Sequence, residues 1–197
     1  AEEAVRSGFG ANLAGGTHHA HADAGSGYCV FNDIAVSLLG LRAQEKIRRA
    51  AIVDLDVHQG DGNSAILAGR HDVYVLSLHG AKNSPFIKVP STVDVELPNG
   101  TGDDEYLDAL QRALPPVFEF APDIVYYQAG VDPLAEDTLG KLALTHAGLM
   151  ERDRIVFSEC ARRGIPVALS LGGGYAKPIE ATIVAHVGTY RVAKGVF

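Results

Sequence analysis

The 197-residue chain predicts an α/β domain built on a mainly parallel sheet, with a ligand site at the carboxyl ends of its strands. Three observations carry this. Short runs rich in Val, Ile, Leu and Tyr recur along the chain, and segments of helical period lie between them. Each run then exits into polar or glycine-rich sequence. Alternating strands and helices imply βαβ units with parallel strands, and in such sheets ligands bind beyond the carboxyl ends.

Four runs read as buried strands: 51–57 (AIVDLDV), 73–78 (VYVLSL), 124–128 (IVYYQ) and 166–171 (PVALSL). Helices are expected over 32–48, with Asn32 and Asp33 as caps, and over 103–121, which is acidic in its first turn as a helix N-terminus prefers. Two more are expected over 146–163 and 176–194. Segment 80–102, rich in Pro, Gly, Asn and Ser, reads as a functional loop. With no repeat, low-complexity tract or linker, 1–197 reads as one domain. The opening AEEAVRSGFGANLAGG reads as the middle of a domain, so the chain is expected to be incomplete at its N-terminus.

The composition, 47% hydrophobic and 21% charged, is that of a folded globular protein. A net charge of −7 argues against a nucleic-acid surface, and an acidic rim would suit a basic substrate such as a lysine side chain or a polyamine. Cys29 and Cys160 form no CxxC pair and no disulfide framework, which points to a reducing, cytoplasmic compartment. No apolar run is long enough to cross a bilayer. Nothing in the pattern assigns an oligomeric state.

The strand exits hold the chemistry. The first carries Asp54, Asp56, His58 and Asp61 within eight residues, and buried charge is costly unless paired, hydrogen-bonded or metal-bound. On an extended strand Asp54, Asp56 and His58 share one face. Carboxylates and an imidazole converging there can present metal ligands, and Asp132, past the third strand, can supply a third. The same residues would equally serve as an ion pair, with Asp132 capping a helix. His18 and His19 sit beside glycines, and Asp54 and Asp61 are the spare carboxylates that could orient them as general acid or base. The fourth exit, SLGGGY, ends in Tyr175, whose hydroxyl could donate to an oxyanion or could simply pack on the surface.

Taken in order, GG-x-HHA at 15–20, G-Y-C-x-FND at 27–33, DLDVHQGDG at 54–62, AG-x-D at 129–132 and GGGY at 172–175 resemble the signature of the histone deacetylase superfamily, nearest its class IV and bacterial branch. Gln59 departs from it, standing where many members carry a second histidine. The resemblance implies an arginase/deacetylase-like three-layer sandwich and hydrolysis of an acylated amine, from an acyl-lysine peptide or protein or a small molecule. It implies zinc held by Asp56, His58 and Asp132. It implies catalytic His18 and His19, paired with Asp54 and Asp61, and Tyr175 polarising the amide carbonyl. Gly27, Tyr28, Phe86, Gly173 and Gly174 would line the substrate channel. Asp54, Asp56, His58, Ser77 and Leu78 would hold a structural potassium ion. Two carboxylates and an imidazole would also accept ferrous iron. Two other readings stand beside this one: a binuclear manganese ureohydrolase of the arginase type, which needs a second set of ligands, and a non-catalytic remnant that binds acylated ligands or a partner. His21, His71, His79, His146 and His186 read as structural or surface residues, and Cys29 as a small buried hydrophobe.

Overall fold

A computed structural model describes all 197 residues. Six strands form one sheet: β1 (Phe9–Asn12), β2 (Ala50–Asp54), β3 (Val73–Gly80), β4 (Val93–Leu97), β5 (Ile124–Gln128) and β6 (Val167–Ser170). Their order is β1-β6-β5-β2-β3-β4, and every neighbouring pair is parallel. All four interior strands are therefore expected to be apolar on both faces, and β2, β3, β5 and β6 are buried throughout.

Alternate residues of these strands enter two separate cores. Ala51, Val53, Leu76, Leu78, Val125 and Tyr127 pack under α4 (Asp103–Ala113), α5 (Pro115–Glu119), α6 (His146–Arg163) and α7 (Glu180–Val196). Ala50, Ile52, Val75, Ile124 and Tyr126 pack under α1 (Glu2–Ser7) and α2 (Asp33–Ala43). Helices, sheet and helices make three layers. A short α3 (Asp61–Ile66) follows the first strand exit.

Four expectations change. The first strand stops at Asp54 rather than continuing to Val57, because the chain bends there. Residues 103–121 form two helices instead of one: Pro115 and Pro116 lack the N–H a continuing helix needs and crowd the preceding turn. Segment 80–102 contains β4 on the sheet edge. The opening residues contain β1 on the opposite edge. No helix is long and apolar enough to cross a membrane.

Candidate metal centre and adjoining pocket

The first strand exit folds on its own carboxylates. Asp54 Oδ1 accepts from the Asp56 amide (3.2 Å), and Asp56 Oδ1 accepts from the His58 amide (3.0 Å). Short Asp side chains that capture an amide two residues on bend the backbone at each step. The convergence of these residues thus comes from a turn and not from one face of an extended strand. Asp54 stays on the strand and faces His18; Asp56 and His58 turn toward the neighbouring exit.

That exit belongs to β5 and delivers Asp132. Its Oδ1 accepts from the Val57 amide (2.8 Å), and its Oδ2 lies 3.1 Å from His58 Nδ1. His58 Nδ1 is also 3.1 Å from Asp56 Oδ1. Asp56, His58 and Asp132 each place a ligand atom within 4.8 Å of the others. One such triad is present, where a binuclear centre would need further ligands.

Buried charge is concentrated in this triad. Burial, and then the neighbouring Asp56, push Asp132 up to about 7. Burial acts on Asp56 in the same sense, yet His18 and His58 outweigh it and hold Asp56 well below the carboxylate range. For His58, burial is outweighed by hydrogen bonds to Asp132 and Asp56, which lift it to about 10. Two buried carboxylates sharing one imidazole and one proton are a donor set suited to a divalent ion.

Glycines let the backbone close around these carboxylates. A Cβ on Gly173 would stand 2.1 Å from Asp132 Oδ2, and Gly173 donates its own amide to Asp56 Oδ2 (2.8 Å). A Cβ on Gly130 would stand 2.2 Å from Asp56 Oδ2.

The two histidines arrive from the loop between β1 and α2. Asp33, at the start of α2, accepts from the Gly16 amide (3.0 Å), the Thr17 amide (2.9 Å) and the Thr17 hydroxyl (2.7 Å). Gln128, the last residue of β5, donates to the Gly16 carbonyl (2.9 Å). So anchored, His18 Nδ1 lies 2.8 Å from Asp54 Oδ2 and His19 Nδ1 lies 2.6 Å from Asp61 Oδ1. The rings sit 4.1 Å apart between centroids, with His19 5.9 Å from His58. Burial opposes charge on His18, but Asp54 and Asp56 outweigh it and lift the imidazole to about 9.

A pocket of about 330 Å³ opens beside His58 of the triad. His19, His58 and Tyr175 line it along with Gly27, Tyr28 and Phe86. Gly173 and Gly174 do not line it: the first faces the carboxylates, and the second packs against Thr182, Val131 and His186. No carboxylate lines it either, and Lys141 does, so the expected acidic rim is not formed by these residues. Ser77 lies opposite Asp54 in register, and its hydroxyl is 2.9 Å from His79 Nδ1.

Several contributors were not picked out from sequence. His21 Nε2 holds the second oxygen of Asp61 (3.1 Å), making that carboxylate a two-histidine partner. Asp137 accepts from the amides of Tyr175 (2.5 Å), Leu139 (2.8 Å) and Gly140 (2.8 Å), and so sets the loop that carries the phenol. An Asp three residues before a glycine is a turn signal that could have marked it. Gln59 donates to the Val89 carbonyl (2.9 Å) and to Asp94 (2.7 Å), tying the exit to β4. Both cysteines are free and buried.

The profile of the histone deacetylase domain matches residues 1–190. The chain belongs to the histone deacetylase family. It is 43% identical over 198 residues to an uncharacterized protein of Picosynechococcus, covering all of this chain and 66% of that one. It is 36% identical over 181 residues to histone deacetylase 2 of Arabidopsis thaliana, covering 90% of this chain and 47% of the relative. The crystal structure of acetylpolyamine aminohydrolase from Burkholderia pseudomallei superposes with a TM-score of 0.81 at 26% identity, over 98% of this chain and 59% of that one. This histone deacetylase family chain thus spans about half to two thirds of the length of the relatives it matches. Its three-layer fold is that of the arginase/deacetylase group.

Proposed function

We propose that the chain is part of a single deacetylase catalytic domain that hydrolyses the amide of an acylated amine, an acyl-lysine or a small acylated amine, with one divalent cation on Asp56, His58 and Asp132. The observation that carries this reading is that His58 of the triad meets His19 and Tyr175 around one 330 Å³ pocket, with Asp56 and Asp132 held against His58. Zinc is the cation the family resemblance implies, and ferrous iron fits the same donors. When bound, such a cation acidifies water and polarises a carbonyl.

The side chains divide the remaining work. His19 has its Nδ1 engaged by Asp61, which leaves Nε2 to take a proton from attacking water and return it to the departing amine. His18, its Nδ1 held by Asp54, is the imidazole assigned to supply positive charge beside the reaction. The Tyr175 hydroxyl donates to the developing oxyanion. Gly27, Tyr28 and Phe86 hold the acyl-amine stem. Asp54, with the carbonyls of Asp56 and His58 and groups at Ser77 and Leu78, is assigned a potassium ion that offsets the carboxylate charge behind the triad.

The test is hydrolysis by the zinc-loaded chain of a panel of acyl-lysine peptides and acetylated polyamines, with a hydroxamate as inhibitor. His19→Ala is expected to lower the rate by about 100-fold or more. A His19→Ala rate equal to the wild type ends the assignment. Tight hydroxamate binding with no hydrolysis of any panel member replaces it with a binding role.

A further inference from the structure

By volume, Arg152 is the largest side chain that the fold buries completely. It projects from α6 into the core between that helix and the sheet. Its Nη1 donates to the carbonyl of Gly130 (2.7 Å) and to the carbonyl of Leu55 (3.2 Å). Its Nε donates to Asp153 Oδ1 (2.9 Å), and Nη2 lies 2.8 Å from the same oxygen. The Tyr127 hydroxyl donates to that oxygen too (2.5 Å), so the guanidinium is held from behind.

Stability does not explain such a group. Replacing a buried ion pair by apolar side chains of similar volume is often neutral or stabilising. What an apolar side chain cannot do is bind carbonyls, and the two bound here are particular ones. The β2–β5 ladder ends at the pair Asp54 and Gln128, with one more bond from the Leu55 amide to the Gln128 carbonyl (3.0 Å). Beyond that bond the two exits separate to carry Asp56 and Asp132. Leu55 immediately precedes Asp56, and Gly130 is two residues before Asp132. Gly130 also presses on Asp56, since a Cβ there would stand 2.2 Å from its Oδ2. A single nitrogen therefore adds a second tie where backbone pairing stops, beside the bond from the Val57 amide to Asp132.

We propose that Arg152 is a positioning residue for the triad: by tying the carbonyls of Leu55 and Gly130 together it fixes the separation of Asp56 and Asp132, and with it the affinity for the cation. The inference rests on the reading of Asp56, His58 and Asp132 as a metal site. Lysine does not substitute for it, because a compact ammonium cannot reach both carbonyls while a fork holds Asp153. The hydrogen bond from Tyr127 to Asp153 makes β5 itself part of the same brace, so one helix residue reads out the position of both ligand-bearing strands.

The experiment compares the full chain with Arg152→Lys and Arg152→Met. Zinc affinity is measured by competition with a chromophoric chelator, folding by circular dichroism and melting in EDTA, and kcat and KM on an acetyl-lysine peptide at saturating zinc. Groups that orient metal ligands from outside typically contribute about 10- to 100-fold in metal affinity or activity, and a loss of that size is expected in both variants. For Arg152→Lys, kcat is expected to fall while KM stays within about twofold, since the pocket wall is untouched. A folded Arg152→Lys with wild-type zinc affinity and kcat overturns the inference. So does unfolding of both variants in EDTA, which assigns Arg152 to stability alone. A wild-type chain that binds no divalent cation removes the reading of the triad and this inference with it; a wild-type chain that binds, matched by its variants, removes only the inference.

Discussion

A phenol can donate to an oxyanion at neutral pH only while it keeps its proton, and Tyr175 has two reasons to keep it. Burial, followed by the carboxylates of Asp56 and Asp132, pushes its hydroxyl well above the ordinary phenol range. Tyr175→Phe removes the donor and little else, because the loop is held through the Tyr175 amide by Asp137 and not through the ring. We expect kcat to fall by about 10²- to 10³-fold, the loss seen when one oxyanion donor is deleted, with zinc affinity unchanged. Steady-state kinetics beside a zinc titration measure both, and an unchanged kcat denies the phenol its role. The residues that meet at the strand exits were legible where a polar side chain interrupted an apolar run, as at Asp54, Asp56 and His58. Residues that act by reaching across the fold were not. Asp137 meets the Tyr175 amide, His21 meets Asp61 and Arg152 meets two carbonyls only after distant segments pack, and no local pattern encodes those encounters.

Elements obey the same division between local and distant causes. The interior strands β3, β5 and β6 were legible because a strand buried on both faces reads as an apolar run. The edge strands were not: β4 alternates half-exposed and exposed positions inside a segment full of turn residues, and β1 has only four residues and a glycine. In β4 the period-two signal of Val93, Val95 and Leu97 between Asp94 and Glu96 was present, but Pro90 and Pro98 on either side favoured a loop. Within α2 the sequence holds a local flaw that packing does not require. Gly40 sits in the helix interior, and nothing lies within 4 Å of where its Cβ would be. Alanine is favoured over glycine in a helix by about 1 kcal/mol, so Gly40→Ala is expected to raise Tm by about 2–4 °C for a chain of this size. Zinc affinity and kcat should not change. Scanning calorimetry decides it, and an unchanged or lower Tm means this turn of α2 does not behave as helix interior.

At the scale of the molecule, the sheet gathers more acid than base at one edge and buries it. Asp54, Asp56 and Asp132 lie together there with His18 and His58. In a chelator the fold manages this by retaining protons. Burial and Asp56 hold Asp132 up at about 7, while carboxylate neighbours outweigh burial to hold His18 at about 9 and His58 at about 10. All three bind a proton more tightly folded than unfolded, where the ordinary values are 3.8 for the carboxyl and 6.5 for the imidazoles. Each therefore contributes stability that is complete below its unfolded value and lost as pH rises through its folded value. For the two imidazoles that window runs from 6.5 to about 10. Cation binding has the opposite dependence, because ligands must lose their protons to coordinate, so affinity grows as pH rises. A ligand that binds only the folded chain stabilises in proportion to the logarithm of its saturation. We therefore expect the melting temperature in EDTA to fall steadily from about pH 7 to about pH 8.5, above the range in which His79 and His186 oppose it, and the increment given by zinc to widen over the same range. Paired melts at fixed ionic strength measure the two curves. A chelated chain whose Tm is flat or rising across that range would show that the carboxylates and imidazoles at this edge do not share protons as the geometry requires.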